Sequence, residues 1–181
     1  MAASRDTLES IREVAELLSL DPSGRLLFKG KVPMILTTRE FIALIQKTIE
    51  EVVGENAAAV IMYRAGFKAG YSFARTQSIE FGVRGVDILR KYLETASKRG
   101  WGEFTLQSYD ISERIVVEVR GSYGEEWGNV GRRVCHIWRG ALAGIAQYIA
   151  DDMNLKIKMK GTEEKCVAEG SECCIITAEP V

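Results

Sequence analysis

The chain has 181 residues, 46% of them hydrophobic, and a formal net charge of −1. That length and apolar content suffice for one domain with a packed core, so no disulfide or metal staple is required by size. Lys and Arg are mixed with Asp and Glu, which argues against a nucleic-acid surface. The sequence has no apolar run of membrane-spanning length and no signal-peptide pattern, and a cytoplasmic protein without a membrane span is expected.

Residues 4–19, SRDTLESIREVAELLS, place Leu8, Ile11, Val14, Ala15 and Leu18 at helical spacing. This helix lies within an N-terminal segment, residues 1–20, that is a candidate dimer contact; residues 21–181 are expected to form a single domain. DPSG at 21–24 reads as a turn. RLLFKG and KVPMILT around Gly30 read as a strand pair, with Pro33 at an edge or bulge. Thr38 then reads as the N-cap of a helix over 39–53 that ends at Gly54. Further helices are predicted over 55–76, 83–98 and 132–150. Between them, Phe104, Leu106 and Ser108 alternate with polar neighbours, as do Ile115, Val117 and Val119, and the DISE stretch at 110–113 joins the two runs as a hairpin. Residues 121–131, GSYGEEWGNVG, form a glycine-rich loop. Leu155, Ile157 and Met159 alternate with lysines as a strand, and CIIT at 174–177 completes a second hairpin. The sum is an α+β fold with a mostly antiparallel sheet. The glycine pairs Gly66/Gly70 and Gly140/Gly144, each four residues apart, are expected to let helices approach closely.

Three of the four cysteines fall in EEKCVAEGSECC, residues 163–174. Reduced cytoplasmic thiols clustered in this way point to metal ligation or redox chemistry rather than disulfides. Glu163 stands three residues before Cys166, and Cys174 eight after it, with Gly170 positioned to turn the chain between them. Thiolates with a carboxylate suit zinc, and Cys135 at a helix start is the candidate fourth ligand. Two other readings stand beside this one: small buried hydrophobes and redox thiols. Cys173 and Cys174 are adjacent on a strand and face opposite ways, so only one of them reaches a shared site.

These residues carry a resemblance. CHIWRGALAG at 135–144, and Glu163, Cys166 and Cys174 as ExxC followed by a cysteine eight residues on, resemble the 4-vinyl reductase domain family. They are also similar to the aromatic-sensing input domains of phenol- and toluene-responsive bacterial transcription activators. VIMYRAGFKAG at 60–70 and GRLLFKGKVPMIL at 24–36 extend the resemblance over about residues 24–178. The resemblance implies a structural zinc held by Cys135, Glu163, Cys166 and Cys174. Glu164 is the alternate carboxylate, because the segment from Gly144 to Glu163 is longer than in the sensors. It also implies the fold of subunits of the TRAPP vesicle-tethering complex, helices on a twisted antiparallel sheet, as a homodimer that binds a small hydrophobic molecule.

The sensors hold phenol with a histidine and a tryptophan. Here the corresponding positions are near Arg90–Leu93 and Val119, and the single histidine, His136, adjoins Cys135 instead. The expected ligand pocket is lined by Tyr92, Leu93, Phe104, Val117, Val119, Trp138, Ile145 and Tyr148, unless these side chains simply fill the core. No GxGxxG follows a predicted strand and no nucleophile–base set converges. A non-catalytic sensor or carrier is therefore the leading expectation. An enzyme acting on a bound hydrophobic or tetrapyrrole-like substrate and a TRAPP-like interaction subunit are the alternatives.

Overall fold

In the computed structural model, which describes residues 5–181, the chain separates into two units that meet in sequence between Thr38 and Arg39. The first four residues of the expected segment 1–20 lie outside the described residues. In the first unit, α1 (Arg5–Glu16) precedes a three-stranded antiparallel sheet of β1 (Leu18–Leu20), β2 (Leu26–Phe28) and β3 (Val32–Met34), in that order. The helix stops short of residue 19 because Leu18 and Leu20 pair with Phe28 and Leu26. The Asp21 carboxylate accepts from the backbone N–H groups of Ser23 and Arg25 at 2.8 and 3.0 Å, which sets the DPSG turn. Pro33 sits in an edge strand, where a missing N–H is tolerated.

The second unit carries α2 (Arg39–Val53), α3 (Glu55–Phe81), α4 (Val86–Lys98), β4 (Glu103–Tyr109), β5 (Ile115–Arg120), α5 (His136–Asp152), β6 (Met159–Lys165) and β7 (Cys174–Pro180). Its four strands form one antiparallel sheet in the order β4-β5-β7-β6. The fold is α+β. The β4–β5 turn is closed by Asp110, whose carboxylate accepts from the N–H groups of Ser112 and Glu113 at 2.8 and 3.2 Å. Strand alternation buries Ile115, Val117 and Val119 on β5, and Met159, Gly161 and Glu163 on β6. Helix α5 packs between α3 and this sheet, so it is buried on almost every side.

The α3–α5 seam depends on glycine. A Cβ built on Gly66 or Gly70 would lie 2.1 or 2.2 Å from the carbonyl oxygen of Ile137 or Ala141, and one on Gly140 or Gly144 would lie 2.1 or 2.0 Å from that of Tyr63 or Phe67. The two backbones touch reciprocally, and any side chain at these four positions would force them apart. On the sheet side, Gly161 lies against the Arg139 carbonyl in the same way. Helix α5 is thereby fixed between its neighbours, and its N-cap, Cys135, is held over the ends of β6 and β7 that supply the other residues of the candidate site.

Several element bounds differ from the pattern in the sequence. Helix α3 continues from residue 76 to Phe81, since no breaker occurs before Gly82. Helix α5 begins at His136 rather than 132, because the Val134 carbonyl is taken by the side chains of Gln46 and Tyr123 at 3.0 and 3.1 Å. Leu155 and Ile157 precede β6 instead of forming part of it. The Leu155 N–H donates to the Ala150 carbonyl at 2.9 Å, and the Ile157 carbonyl accepts from Gln147 Nε2 at 3.1 Å. That segment is strapped to the end of α5, and pairing with β7 starts only at Met159.

Candidate metal centre

Four residues from three separated stretches converge beneath the start of α5. Cys135 is the N-cap of that helix, Glu163 is on the inward face of β6, Cys166 follows β6, and Cys174 opens β7. Their ligand atoms lie within 4.8 Å of one another and all four residues are buried, so the group can hold a metal ion. Cys135 Sγ is 3.9 Å from Cys166 Sγ and 3.6 Å from Cys174 Sγ, well beyond a disulfide bond. Gly170, at φ +94°, supplies the left-handed turn that returns the chain from Cys166 to Cys174. A short 3-10 turn, Val167–Glu169, fills the intervening loop.

The surroundings present hydrogen-bond donors to sulfur. The Val167 N–H donates to Cys174 Sγ at 3.4 Å. Cys166 Sγ accepts from the Glu169 N–H, while the Glu169 carboxylate accepts from the Cys166 N–H at 3.0 Å, a reciprocal box at the start of the turn. Ser122 Oγ lies 3.2 Å from Cys135 Sγ. Outside this layer, Arg133 donates to the Glu163 carbonyl at 2.6 Å and to the Glu169 carboxylate at 3.0 and 3.3 Å, tying the cysteine loop to the chain before α5. Sequence reasoning did not single out Ser122 or Arg133. Ser122 lies within the glycine-rich loop, and nothing in its local pattern points to a thiol thirteen residues away.

Electrostatics mark the same spot. One Glu163 oxygen accepts from the Cys135 N–H at 3.0 Å, while the other, Oε1, is buried without a hydrogen-bond partner among the described residues. Burial, then the neighbouring Cys166, pushes the Glu163 carboxyl up to about 9. Hydrogen bonds from Cys135, then from Cys166, hold the Cys174 thiol well below its ordinary value, whereas Cys135 is pushed well above it, first by its hydrogen bond with Cys166. The cluster thus favours one thiolate even without a cation, and a buried carboxylate oxygen faces the cost of having no partner. Both features suit a bound cation.

The candidate residues that stay apart are as informative. Glu164 is exposed and pairs with Arg114, so the inward carboxylate is that of Glu163. Cys173 is half-buried and lies outside the cluster. His136, although next to Cys135, is not one of the converging residues; burial, and then Arg139, lower its imidazole to about 4, so it is neutral near pH 7.

One turn beyond Cys135, Trp138 enters an aromatic group. Its ring meets Trp101, Phe104 and Tyr123 edge-on, with centroids 5.0, 5.1 and 5.8 Å away. Beside it is a small apolar void of about 10 Å³, lined by Tyr92, Leu93, Phe104, Val117, Trp138, Leu142 and Ile176. Five of the eight expected pocket residues are on this wall, namely Tyr92, Leu93, Phe104, Val117 and Trp138. Val119 is fully buried opposite Cys174 in the β5–β7 ladder, Ile145 lies farther along α5 in the core, and Tyr148 packs edge-on against Tyr71 at 5.4 Å. Leu142 and Ile176 complete the wall. Leu142 could have been found from the sequence, since it follows Trp138 at helical spacing.

A buried polar chain links this region to α2. The Tyr123 hydroxyl donates toward Gln46 Oε1 and the Val134 carbonyl at 3.0 and 3.1 Å, and Gln46 Nε2 donates to Val134 O and to Glu50 at 3.0 and 2.9 Å. Lys47 donates to the Glu126 carbonyl at 2.7 Å and lies over the Trp127 ring.

The second unit is therefore an α+β domain with a buried Cys3Glu cluster and an aromatic group on the same helix. Residues 17–107, half of the chain, match the family described as Domain of unknown function (DUF5943), and the chain belongs to that family. The matched stretch ends before Cys135. No curated protein matches the sequence. Among solved structures, the phenol-responsive sensory domain of the transcription activator PoxR, in complex with phenol, is similar at a TM-score of 0.77 and 18% identity, over 98% of this chain and 92% of that one. A vinyl-4-reductase family protein from Methanocaldococcus jannaschii is similar at a TM-score of 0.57 and 16% identity, over 100% and 99% of the two chains. A trafficking protein particle complex subunit 3 from Naegleria fowleri, covalently bound to palmitic acid, is similar at 0.52 and 11% identity, over 79% and 95%. At these identities the likeness establishes a shared fold, the one implied by the resemblance in the sequence. No described helix is long and apolar enough to cross a membrane.

Proposed function

We propose that the chain is a non-catalytic binding domain for a small hydrophobic or aromatic molecule, a sensor or carrier, built around a structural zinc ion held by Cys135, Glu163, Cys166 and Cys174. The observation that carries the reading is the convergence of these four donors one helical turn from an aromatic-lined void. In a tetrahedral site with Zn–S bonds of about 2.3 Å, sulfur atoms stand about 3.8 Å apart. The two sulfur–sulfur distances from Cys135, 3.6 and 3.9 Å, bracket that value. The unpartnered Glu163 oxygen is the natural fourth donor. When bound, zinc would cross-link α5, β6 and β7 and keep the thiolates charged in a buried site.

With all four positions supplied by protein, such an ion has no open position for water or substrate, which favours a structural over a catalytic role. The likeness to the phenol-responsive sensory domain supports small-molecule binding as the role of the fold. At about 10 Å³ the void is smaller than an aromatic ring, so a ligand must displace part of its wall. A cytoplasmic homodimer remains part of this reading. Native mass spectrometry of protein isolated from cells, before and after denaturation, tests all of it. The expected result is one zinc per chain, a small hydrophobic adduct released on denaturation, and a dimer mass. A metal-free chain that carries no adduct would contradict the proposal.

A further inference from the structure

We propose that the outward face of α2 is the contact between two copies of this chain, packed antiparallel about a two-fold axis that passes between Gln46 and Lys47. This rests on the homodimer included in the proposed function, and it moves the contact from residues 1–20 to a named helix face.

Helix α2 is amphipathic the wrong way round for a lone domain. A surface helix normally turns its apolar stripe to the core and its polar face to water. Here Leu44, Ile45, Thr48 and Val52 share one face at helical spacing, and Leu44 is 50%, Ile45 40% and Val52 76% exposed. Phe41, one turn earlier on that face, is 54% exposed. The opposite face carries Ala43, Gln46, Lys47 and Glu50, and Gln46 is fully buried. Hydrogen bonds stop the helix from rolling over. Gln46 Nε2 donates to the Val134 carbonyl and Gln46 Oε1 accepts from the Tyr123 hydroxyl, both at 3.0 Å. Lys47 donates to the Glu126 carbonyl at 2.7 Å, and Arg132 donates to the Glu50 carboxylate at 2.6 Å. Rolling α2 to bury Leu44 and Ile45 would strand all of these groups, so the apolar stripe is left for something outside the domain to cover.

The stripe matches its own copy. Antiparallel pairing about that axis sets Ile45 against the partner's Thr48, Leu44 against the partner's Ile49 and Phe41 against the partner's Val52. Each of these side chains meets a β-branched one, and every contact occurs twice, as a two-fold contact requires. The same register sets Glu40 against the partner's Val53 and Glu51 against the partner's Ile42, so like charges are not opposed. The stripe leaves roughly 450 Å² exposed on each copy, so pairing hides roughly 900 Å² before the flanking Glu40 and Glu51 are counted, near the lower limit of a specific interface. A membrane surface suits this face less well. Glu40 and Glu51 stand at its margin, and the Lys47 ammonium is turned inward to Glu126.

Sedimentation equilibrium of the full chain as isolated should show a dimer. Ile45→Glu should raise its dissociation constant by about a hundredfold or more, since it buries a carboxylate beside the two-fold axis. Ile79→Glu, at a residue on α3 that is 61% exposed and outside the stripe, should leave the dimer intact. A second readout needs no variant. In the parent dimer the methyl resonances of Leu44, Ile45 and Val52 should be shielded from a soluble paramagnetic probe, while those of Ile79 are bleached. A dimer that survives Ile45→Glu, one lost equally in Ile79→Glu, or stripe methyls bleached as fully as those of Ile79 would overturn the inference and leave the homodimer standing on another face. A parent protein that stays monomeric at every concentration would overturn the homodimer together with it.

Discussion

The first turn of α5 brings together two regions built on opposite principles. Cys135 belongs to a cluster whose geometry is set by hydrogen bonds. The Glu163 carboxylate, the Ser122 hydroxyl and the 3-10 turn after Cys166 each pin a donor atom in place. Trp138, three residues on, belongs to a region set by packing, where rings meet edge-on and the remaining space is about 10 Å³. The polar cluster is organised in advance and can accept an ion with little rearrangement. The apolar region leaves only that small void, bordered by the half-buried Tyr92 and Phe104. On this contrast the cysteine–glutamate cluster is expected to be the rigid side and the aromatic wall the adaptable one.

The largest effect should come from breaking the rigid side. Cys166→Ser removes one soft donor and leaves the remaining charges buried, and it should cost about 3 kcal/mol or more. For a chain of this length that is a fall in melting temperature of about 10 °C, with loss of bound zinc by elemental analysis. Unchanged melting would mean that the cluster stabilises nothing through a metal. On the adaptable side, Leu142→Ala should cost about 2–3 kcal/mol in denaturant unfolding. The same variant should bind benzene more tightly than the parent protein, because the cavity it opens joins the void. If it is destabilised but gains no affinity, the wall is merely core.

A subtler contrast appears with pH. In metal-free protein the buried Glu163 carboxyl is raised to about 9, so the folded state holds a proton that the unfolded state releases near 4.5. Stability is then fully present below the unfolded value and is lost as pH rises through the folded one. Metal-free protein should lose stability steadily as pH rises from 5 to 9 by this route. Glu163→Gln should flatten that slope, and zinc should abolish it by replacing the proton. A slope identical in the metal-free parent and the Gln variant would show that Glu163 is not the group responsible. The smallest change is expected from Ser122→Ala, which loses the contact with Cys135 Sγ and the acceptor of the Gly124 N–H, and should cost about 1 kcal/mol while zinc remains bound. Loss of the metal in that variant would make Ser122 part of the rigid side's foundation.

How much of this could be read from the sequence follows the same division. The cluster was legible because thiols are few and their spacing about Gly170 is distinctive, and because Cys135 stands at a helix start that the apolar periodicity locates to within a few residues. The close helix seam was legible from Gly66, Gly70, Gly140 and Gly144, since glycines four apart in a helix have few other uses. The void was only half legible. Periodicity places Leu142 inward, one turn from Trp138, and Val119 inward as well, but only the sheet register shows that Val119 stands beside Cys174 instead of on the void. The strand expected at Leu155 failed for a related reason. Its alternation was genuine, but Gln147 reaches across from α5 and claims the Ile157 carbonyl, a contact that no local pattern encodes.

The central claim is that three sulfurs and one carboxylate bind a single divalent zinc, and X-ray absorption at the zinc edge on protein as isolated tests it most directly. The account expects a first shell of three sulfur atoms at about 2.3 Å and one oxygen at about 2.0–2.2 Å. A shell of nitrogen and oxygen alone, or protein carrying no zinc at all, would contradict it.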